Sequence, residues 1–570
     1  MTKFQGLALF VLMTLLFLVA NRGAYQGYFH GDDLDNVSWT PGLENSEYAS
    51  ALVSPKLSPW NFRPVGHFYF AALGRTAGLD YRWYVAVLHG LHLLNVWLVW
   101  LLLRRLNLGL VAASAGALVF AFHMGVFEAL WKPMYVFDVL CGTFCLLCLL
   151  LYIRGNLILS VFSFWLAYKS KEVAIMLPVV LAAWEFWLGE KRWKRLVPFF
   201  SVSLLFGLQA VFRNRAKDDD YTFHFTLSAL QSTGPFYTSK IFLLPFSGLL
   251  TLVFAAVFRD RRVWLGVAAL WTLLLPLLFL PGRIFQAYLY VPLIGLAIAM
   301  AAISARQKTA VVAVFFLLFW IPWNYSQMRI ERRKMLTQSD ENRAYITQMA
   351  QLLRKQPSPK VVVYDTAPEG LQLWGVAASV HIPINDLSTK IYRLEDKEAA
   401  EALRKPGVMV VSWDHGARKL WAASRTGNER RTAYIEMKPD TPIWLLTEGW
   451  FPREHFYRWT RPRARAGLYR PVDAREFQLI ANVPDDQIRA TGPFEVSITA
   501  DGNLIGRHTF KESGLQTVNW PVPAAQPGDV EIELAIDPGF DPSGGNPASL
   551  GIAVAGIGFV PPGPSGKVPQ

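Results

Sequence analysis

Long apolar runs fill residues 1–325, and each is closed by a short polar or basic cluster. The remainder alternates brief apolar stretches with Pro, Gly and charge. In order the runs are Leu7 to Ala20, Trp83 to Leu103, Val111 to Phe127, Tyr135 to Ile153, Leu157 to Tyr168, Val173 to Leu188 and Leu196 to Phe212. A run ending at Arg259, then Val263 to Leu280, Tyr288 to Ile303 and Ala310 to Trp323 complete the series. This pattern predicts a polytopic α-helical membrane protein of about eleven spans, some short and therefore tilted or partly re-entrant.

The basic clusters fall at every second loop: Lys3, Arg104 with Arg105, Arg154, Lys191-Arg192-Trp193-Lys194-Arg195, Arg259-Asp260-Arg261-Arg262, and Arg306 with Lys308. Positive loops stay cytoplasmic, so the loop from Asn21 to Arg82, the Lys169-Ser170-Lys171-Glu172 turn and the whole C-terminal region are placed outside. A signal peptide over the first run is the alternative, but Val19-Ala20-Asn21 is a poor cleavage site and the topology would not change.

Past the spans, an amphipathic segment from Gln327 to Lys355 leads into short apolar strands at Lys360 to Asp365 and Gly407 to Trp413, with a helical stretch from Leu394 to Leu403 between them. That is a small α/β unit. From about Thr441 alternating strands take over: Phe477 to Ala481, Phe494 to Ala500, Gln516 to Pro521, Asp529 to Ile536 and Leu550 to Phe559, a β-sandwich pattern. The expected division is 1–325 transmembrane, 326–440 α/β, 441–562 β-sandwich and 563–570 a disordered tail.

Composition agrees with a mixture: 52% hydrophobic residues are too many for a soluble chain and 17% charged residues too many for a bare bundle. The net charge of +13 could suggest nucleic acid, but much of the Lys and Arg in the first half sits in short clusters between apolar runs, and those clusters report topology instead. Cys141, Cys145 and Cys148 share one apolar run without a His or acid, so they read as small hydrophobes, and the C-terminal region has no cysteine for a disulfide framework.

Candidate chemistry collects on the outer side. His30-Gly31-Asp32-Asp33-Leu34-Asp35-Asn36 follows the first run directly, and carboxylates cannot rest in hydrocarbon without penalty. They are either a solvated cap or a catalytic base. Arg63, His67, Glu128, Lys132, Lys171, Glu172 and Arg283 fall on the same side, and a base beside cations suits displacement of a phosphate leaving group. The aromatic segment Pro59 to Phe70 with Arg63 suits the lipid interface, either as a plain aromatic belt or as a headgroup-level binding element. Asp218 to Asp220 read as a solvated loop, Glu128 and Lys132 as an i, i+4 pair, and His92 and Asn95 as residues that can bond across helices. No cluster has convincing metal-ligand spacing; no cofactor is required, and a divalent metal is left open.

The order of Asp32-Asp33 and Arg63-Pro64 resembles the GT-C superfamily of polyprenyl-phosphate-dependent glycosyltransferases, in which an Asp early in the first outer loop precedes an interfacial Lys-Pro or Arg-Pro pair. The closer likeness is to the protein O-mannosyltransferase-like branch whose eukaryotic members carry tetratricopeptide repeats. Its His-x-x-Asn span is similar to His92 and Asn95, and its third-span signature to Phe122-His123 with Glu128 and Asp138. Its Ser-Lys-Glu loop is similar to Ser170-Lys171-Glu172, and its Tyr-Leu-Tyr-x-Pro to Tyr288 through Pro292. Val126 stands where the family has a second His and Ala287 where it has an Arg, and no tetratricopeptide repeat follows. Glu448-Gly449-Trp450 and Arg458-Trp459 resemble the opening of carbohydrate-associated jelly-roll modules; exposed aromatics there would stack on sugar rings, while burial of the Trp rings is the commoner outcome.

The resemblance implies an inverting hexosyl- or mannosyltransferase in a bacterial inner membrane, with its C-terminal region in the periplasm. It takes sugar from a polyprenyl-phosphate donor to a glycan, lipid or protein acceptor, with membrane lipid as its surroundings. Asp32 or Asp33 would be the base, Arg63, Lys171 and Arg283 would hold the donor phosphate, and Glu128, Asp138, His123 and Glu172 would orient acceptor or base. A transporter or flippase for a lipid-linked glycan is the rival. It would place ionisable groups near the bilayer midplane between repeated halves.

Overall fold

A computed structural model describes residues 3–56, 62–213, 220–355, 358–542 and 550–561. Pro59, Trp60 and Asn61, Asp218 and Asp219, and the expected tail 563–570 lie outside the described residues. The chain divides into two compact units, Met1–Asp340 and Glu341–Gln570.

The first unit is helical, and every apolar run named above lies on a helix. Length and apolarity nevertheless qualify only three helices as spans, Tyr81–Arg105, Pro133–Ile153 and Arg261–Leu278. Two bent pairs raise this to five: Leu110–Phe122 with Met124–Trp131, bent by 45°, and Leu227–Phe242 with Ser247–Val257, bent by 73°. Gln5–Ala20, Leu157–Ser170 and Leu293–Ser304 are apolar but shorter. The expected eleven crossings are therefore not met among the described residues, because turns cut the runs. Leu177–Trp187 has 11 residues, about 17 Å of rise against a hydrocarbon core of about 30 Å.

Small residues let these helices close up. A Cβ built on Gly295 would lie 2.3 Å from Leu270 N and 2.5 Å from Gly266 O, so Arg261–Leu278 and Leu293–Ser304 pack backbone to backbone. Gly295→Ala is expected to cost about 1–3 kcal/mol, read as a lower melting temperature in detergent. Polar side chains add cross-links: the Tyr290 hydroxyl accepts from Asn95 Nδ2 at 3.0 Å and lies 2.8 Å from His92 Nδ1. Asn95 also donates to Val139 O, and His92 Nε2 lies 3.2 Å from Ala121 O. His92 and Asn95 are thus inter-helix ties. Cys141, Cys145 and Cys148 are buried free thiols.

The last apolar run and the amphipathic segment after it form one 47-residue helix, Gln307–Leu353. No break occurs at residue 325, and the contact boundary falls at 340/341 instead. In the second unit, strands β1 (Val361–Tyr364), β2 (Lys390–Arg393), β3 (Val408–Asp414) and β4 (Lys419–Ser424) form a sheet ordered β2-β1-β3-β4. The first three are parallel, joined through helices Gln372–Ile384 and Lys397–Leu403, and β4 returns antiparallel to β3.

Nine further strands follow: β5 (Tyr434–Glu436), β6 (Glu448–Glu454), β7 (Tyr457–Arg470), β8 (Glu476–Val483), β9 (Phe494–Ala500), β10 (Asn503–Phe510), β11 (Gly514–Pro521), β12 (Gly528–Asp537) and β13 (Ala553–Val560). They make one hydrogen-bonded antiparallel sheet, β10-β9-β12-β7-β13-β8-β11, with β5 on β13 and β6 on β7, rather than two separate sheets. Its end strands meet where Trp520 Nε1 on β11 donates to Arg507 O on β10, so the sheet curls over its own core. The division at residue 440 is likewise not a core boundary. Val363 and Leu403 of the α/β part share one apolar cluster with Phe477, Ile532 and Ile557 of the large sheet.

Of the two readings of the Gly-Trp and Arg-Trp segments, burial rather than sugar stacking is the one found for both Trp rings. Trp450 is 5% exposed and Trp459 9%, with Trp450 Nε1 bonded to Arg465 O. Arg458 is wholly buried and makes a two-toothed ion pair with Asp365, its Nη2 2.6 Å from Oδ2. Ser412 Oγ and Arg453 N also donate to that carboxylate.

Candidate active site

The helix Gly31–Trp39 presents its three acids differently, because positions three apart share a face and position 33 falls between them. Asp33 is 0% exposed. One of its oxygens accepts from His30 N at 2.9 Å, closing the helix N-terminus, and the other accepts from Met134 N at 2.5 Å. Asp33 therefore ties the helix Gly31–Trp39 to the Pro133–Tyr135 turn. Asp32 is partly exposed, its carboxylate takes no hydrogen bond from a described residue, and the charges of Arg283 and Lys132 act on it.

Burial raises Asp32 above the ordinary carboxylate value, with Arg283 and Lys132 opposing it. Burial pushes Asp33 up to about 7, opposed by its two backbone donors, and pushes Asp35 up to about 6, helped by the neighbouring Asp32 charge. Burial and then Lys132 push His30 down to about 3, so its imidazole is neutral. A carboxyl raised in the folded state contributes stability that is complete below its unfolded value and is lost as pH climbs through the folded one. Between about pH 4 and pH 6 wild type should therefore lose stability relative to Asp35→Asn, with no further divergence above that window. Thermal melts of both proteins across pH 4 to 8 measure it.

Arg63 stands before Pro64 in extended backbone, as a residue preceding proline must, and Pro64 opens the helix Pro64–Ala77. His67 Nδ1 accepts from Arg63 N at 2.9 Å while its ring stacks on Phe62, which fixes the Arg63 backbone. The guanidinium makes a two-toothed pair with Glu172, Nε to Oε1 and Nη2 to Oε2 both 2.9 Å. Burial would raise Glu172, but Arg63 holds it below the usual carboxylate range. Lys171, next to Glu172 in the chain, grips Asp138 at 2.7 and 2.6 Å, with both side chains largely buried. Lys132 pairs with Glu128 at 3.0 Å.

Tyr288 is the hub of these groups. Lys171 Nζ lies 3.9 Å from its ring centroid, Arg283 Nη2 is 3.3 Å from its hydroxyl, and Arg63 is within its electrostatic reach. Arg283 also lies over the Tyr221 ring at 4.5 Å and the Phe285 ring at 5.0 Å. Of Arg63, Lys132, Lys171 and Arg283, only Arg283 has no carboxylate at ion-pair distance among the described residues. The result is a partly open acid, Asp32, under the charges of Arg283 and Lys132, with Lys132, Arg63 and Lys171 each held by an acid of its own.

Most of the residues singled out from sequence meet here: Asp32, Asp33, Arg63, Glu128, Asp138, Lys171, Glu172 and Arg283. His123 does not join them. Its Nδ1 accepts from Gly125 N at 2.8 Å and its Nε2 lies 2.7 Å from Ile241 O, so both nitrogens serve the bend after Phe122. Sequence reasoning places Lys132 among the outer-side candidates without a role of its own, and it assigns neither Tyr288 nor Tyr221 to the site. The Glu128 and Lys132 spacing and the Tyr-Leu-Tyr motif were visible, but their convergence was not. No group of three or more His, Cys, Asp or Glu suited to a metal occurs among the described residues.

No family model matches the chain, and no curated protein matches it. Among solved structures it is similar to ArnT from Cupriavidus metallidurans bound to undecaprenyl phosphate, with 14% identity, 72% of this chain and 93% of that chain covered, and a TM-score of 0.42. It is also similar to the arabinofuranosyltransferase AftD from Mycobacteria, with 12% identity, 98% of this chain and 58% of that chain covered, and a TM-score of 0.46. For the arabinosyltransferase EmbB from Mycobacterium smegmatis the values are 12% identity, 97% and 64% coverage, and a TM-score of 0.32. Likenesses this distant assign neither a family nor an activity.

Proposed function

We propose that the helical unit is a membrane-embedded glycosyltransferase of the GT-C type, which moves a sugar from a polyprenyl-phosphate donor to a hydroxyl acceptor at the outer face of a bacterial inner membrane. The observation that carries this reading is the contrast between Asp32 and Asp33. One carboxylate is wholly engaged by backbone donors, and its neighbour is partly open, takes no hydrogen bond among the described residues and feels the charges of Arg283 and Lys132.

In this mechanism Asp32 takes the acceptor's proton as the acceptor oxygen bonds to the anomeric carbon. The bond from that carbon to the donor phosphate breaks, and polyprenyl phosphate leaves with both electrons. Arg283 meets the developing phosphate charge without first giving up a carboxylate, while Arg63 and Lys171 add positive potential from fixed positions. Glu172 and Asp138 hold Arg63 and Lys171 in place, and Glu128 holds Lys132, instead of orienting the acceptor. In-line attack inverts the anomeric centre, and a hexose, mannosyl in the branch whose motifs the chain resembles, is the proposed sugar. The acceptor is a glycan, lipid or protein hydroxyl.

Membranes containing the protein, given radiolabelled polyprenyl-phosphate sugars, are expected to release polyprenyl phosphate and to label an acceptor with the opposite anomeric configuration. Arg283→Gln should weaken donor binding by about tenfold or more, since a charge-assisted contact is worth about 1.5–3 kcal/mol. Binding of donor by wild type without turnover would favour transport, and a retained configuration would reject direct displacement.

A further inference from the structure

Away from the acid-lined site, two loops carry cations that no carboxylate answers. Among the described residues Arg192 pairs with Glu190, and Asp260 takes Arg262 and Arg306. Lys191, Lys194, Arg195, Arg259 and Arg261 have no acid at ion-pair distance. The fold brings the two loops together. Arg261 Nη1 donates to Trp187 O at 3.4 Å, and the Trp187 and Trp264 rings lie 6.1 Å apart.

The first loop is also held in shape from beneath. Buried Glu185 accepts from Tyr152 Oη at 2.7 Å and from Arg192 N at 2.9 Å, so the 189–195 backbone is pinned while Lys191 and Lys194 stay exposed. Beside the cations stand exposed rings, Phe186 at 61% and Trp193 at 46%. The candidate span Arg261–Leu278 starts at the second loop, which sets both loops at the level where hydrocarbon gives way to headgroups.

We infer that these loops form a seat for an anionic membrane lipid carrying two phosphates. Five uncompensated cations exceed what one phosphate neutralises, and the adjoining rings offer an apolar wall that a lipid uses and a free phosphate does not. Fixed cations lower the ordering cost of binding, so this seat discriminates between lipids where a merely positive loop would not. The inference rests on the unit being in a bilayer and not on its being a transferase.

The test uses the full-length protein in detergent micelles doped with cardiolipin, phosphatidylglycerol or phosphatidylcholine, read by native mass spectrometry and by melting temperature. Wild type is expected to retain cardiolipin in preference to the other two and to melt higher with it. K191Q/K194Q/R261Q should bind it roughly a hundredfold more weakly, and Lys194→Gln alone about fivefold, at about 1 kcal/mol per charge. K360Q/K390Q/R404Q removes as many charges from the second unit and should bind as wild type does. Equal retention of phosphatidylcholine, unchanged affinity in both loop variants, or displacement of the lipid by inorganic phosphate would overturn the inference. Equal melting temperatures without lipid establish that the variants fold, and none of the three altered residues belongs to the acid-lined site.

Discussion

Asp32→Asn is expected to lower turnover by roughly 10²- to 10⁴-fold, the usual contribution of a positioned base, while donor binding and melting temperature stay near wild type. Asp33→Asn should do the reverse. Asn offers one acceptor oxygen where the native carboxylate accepts from both His30 N and Met134 N. Its amide then faces a backbone N–H, leaving a buried donor unpaired at about 1–3 kcal/mol. Paired measurements of kcat and melting temperature on the two variants separate the roles. If Asp33→Asn removed turnover at full stability and Asp32→Asn did not, the base would be Asp33 and the site would have to be rebuilt around it.

The second large effect lies in the C-terminal unit. The Asp365 and Arg458 side chains are both fully buried, and the two residues are 93 positions apart in sequence. Asp365→Ala or Arg458→Ala alone strands a charge in the interior and is expected to cost about 3–5 kcal/mol. The double change D365L/R458M should recover much of that, because two apolar side chains leave no charge unpaired. Pulse proteolysis of the full-length protein across a urea series reads the stability of this unit directly. A loss in the double variant as large as in either single one would mean that Ser412 and Arg453, which also donate to Asp365, carry the stability instead.

These two predictions differ in how far sequence alone reaches. The Asp32-Asp33 pair announces itself by following an apolar run, yet nothing in the order of residues separates two adjacent acids. The separation comes from Met134, 101 positions away, whose N–H reaches Asp33. Arg458-Trp459 carried a sequence likeness to sugar-binding modules, but the indole and guanidinium point into the core, where burial and the Asp365 charge fix them. A motif gives residue types and spacing, and it does not give the side on which a strand shows them.

Local physics was readable throughout. Length and apolarity marked each apolar run as helical, and alternation marked β8, β9, β11, β12 and β13. Three matters lay beyond that reach. Whether a helical run is long enough to cross depends on turns such as the extended break at His123, which depend in turn on Gly125 and Ile241. Whether the last run ends at residue 325 depends on whether the backbone breaks there, and it runs on as the single helix Gln307–Leu353. Which cation is free to meet a ligand depends on where Glu172, Asp138 and Glu128 fall in space. The sequence by itself determined the elements and the kinds of chemistry they carry, because those follow from neighbours along the chain. The tertiary structure decided the partners, because ion pairs and hydrogen bonds form across distances that no local pattern encodes.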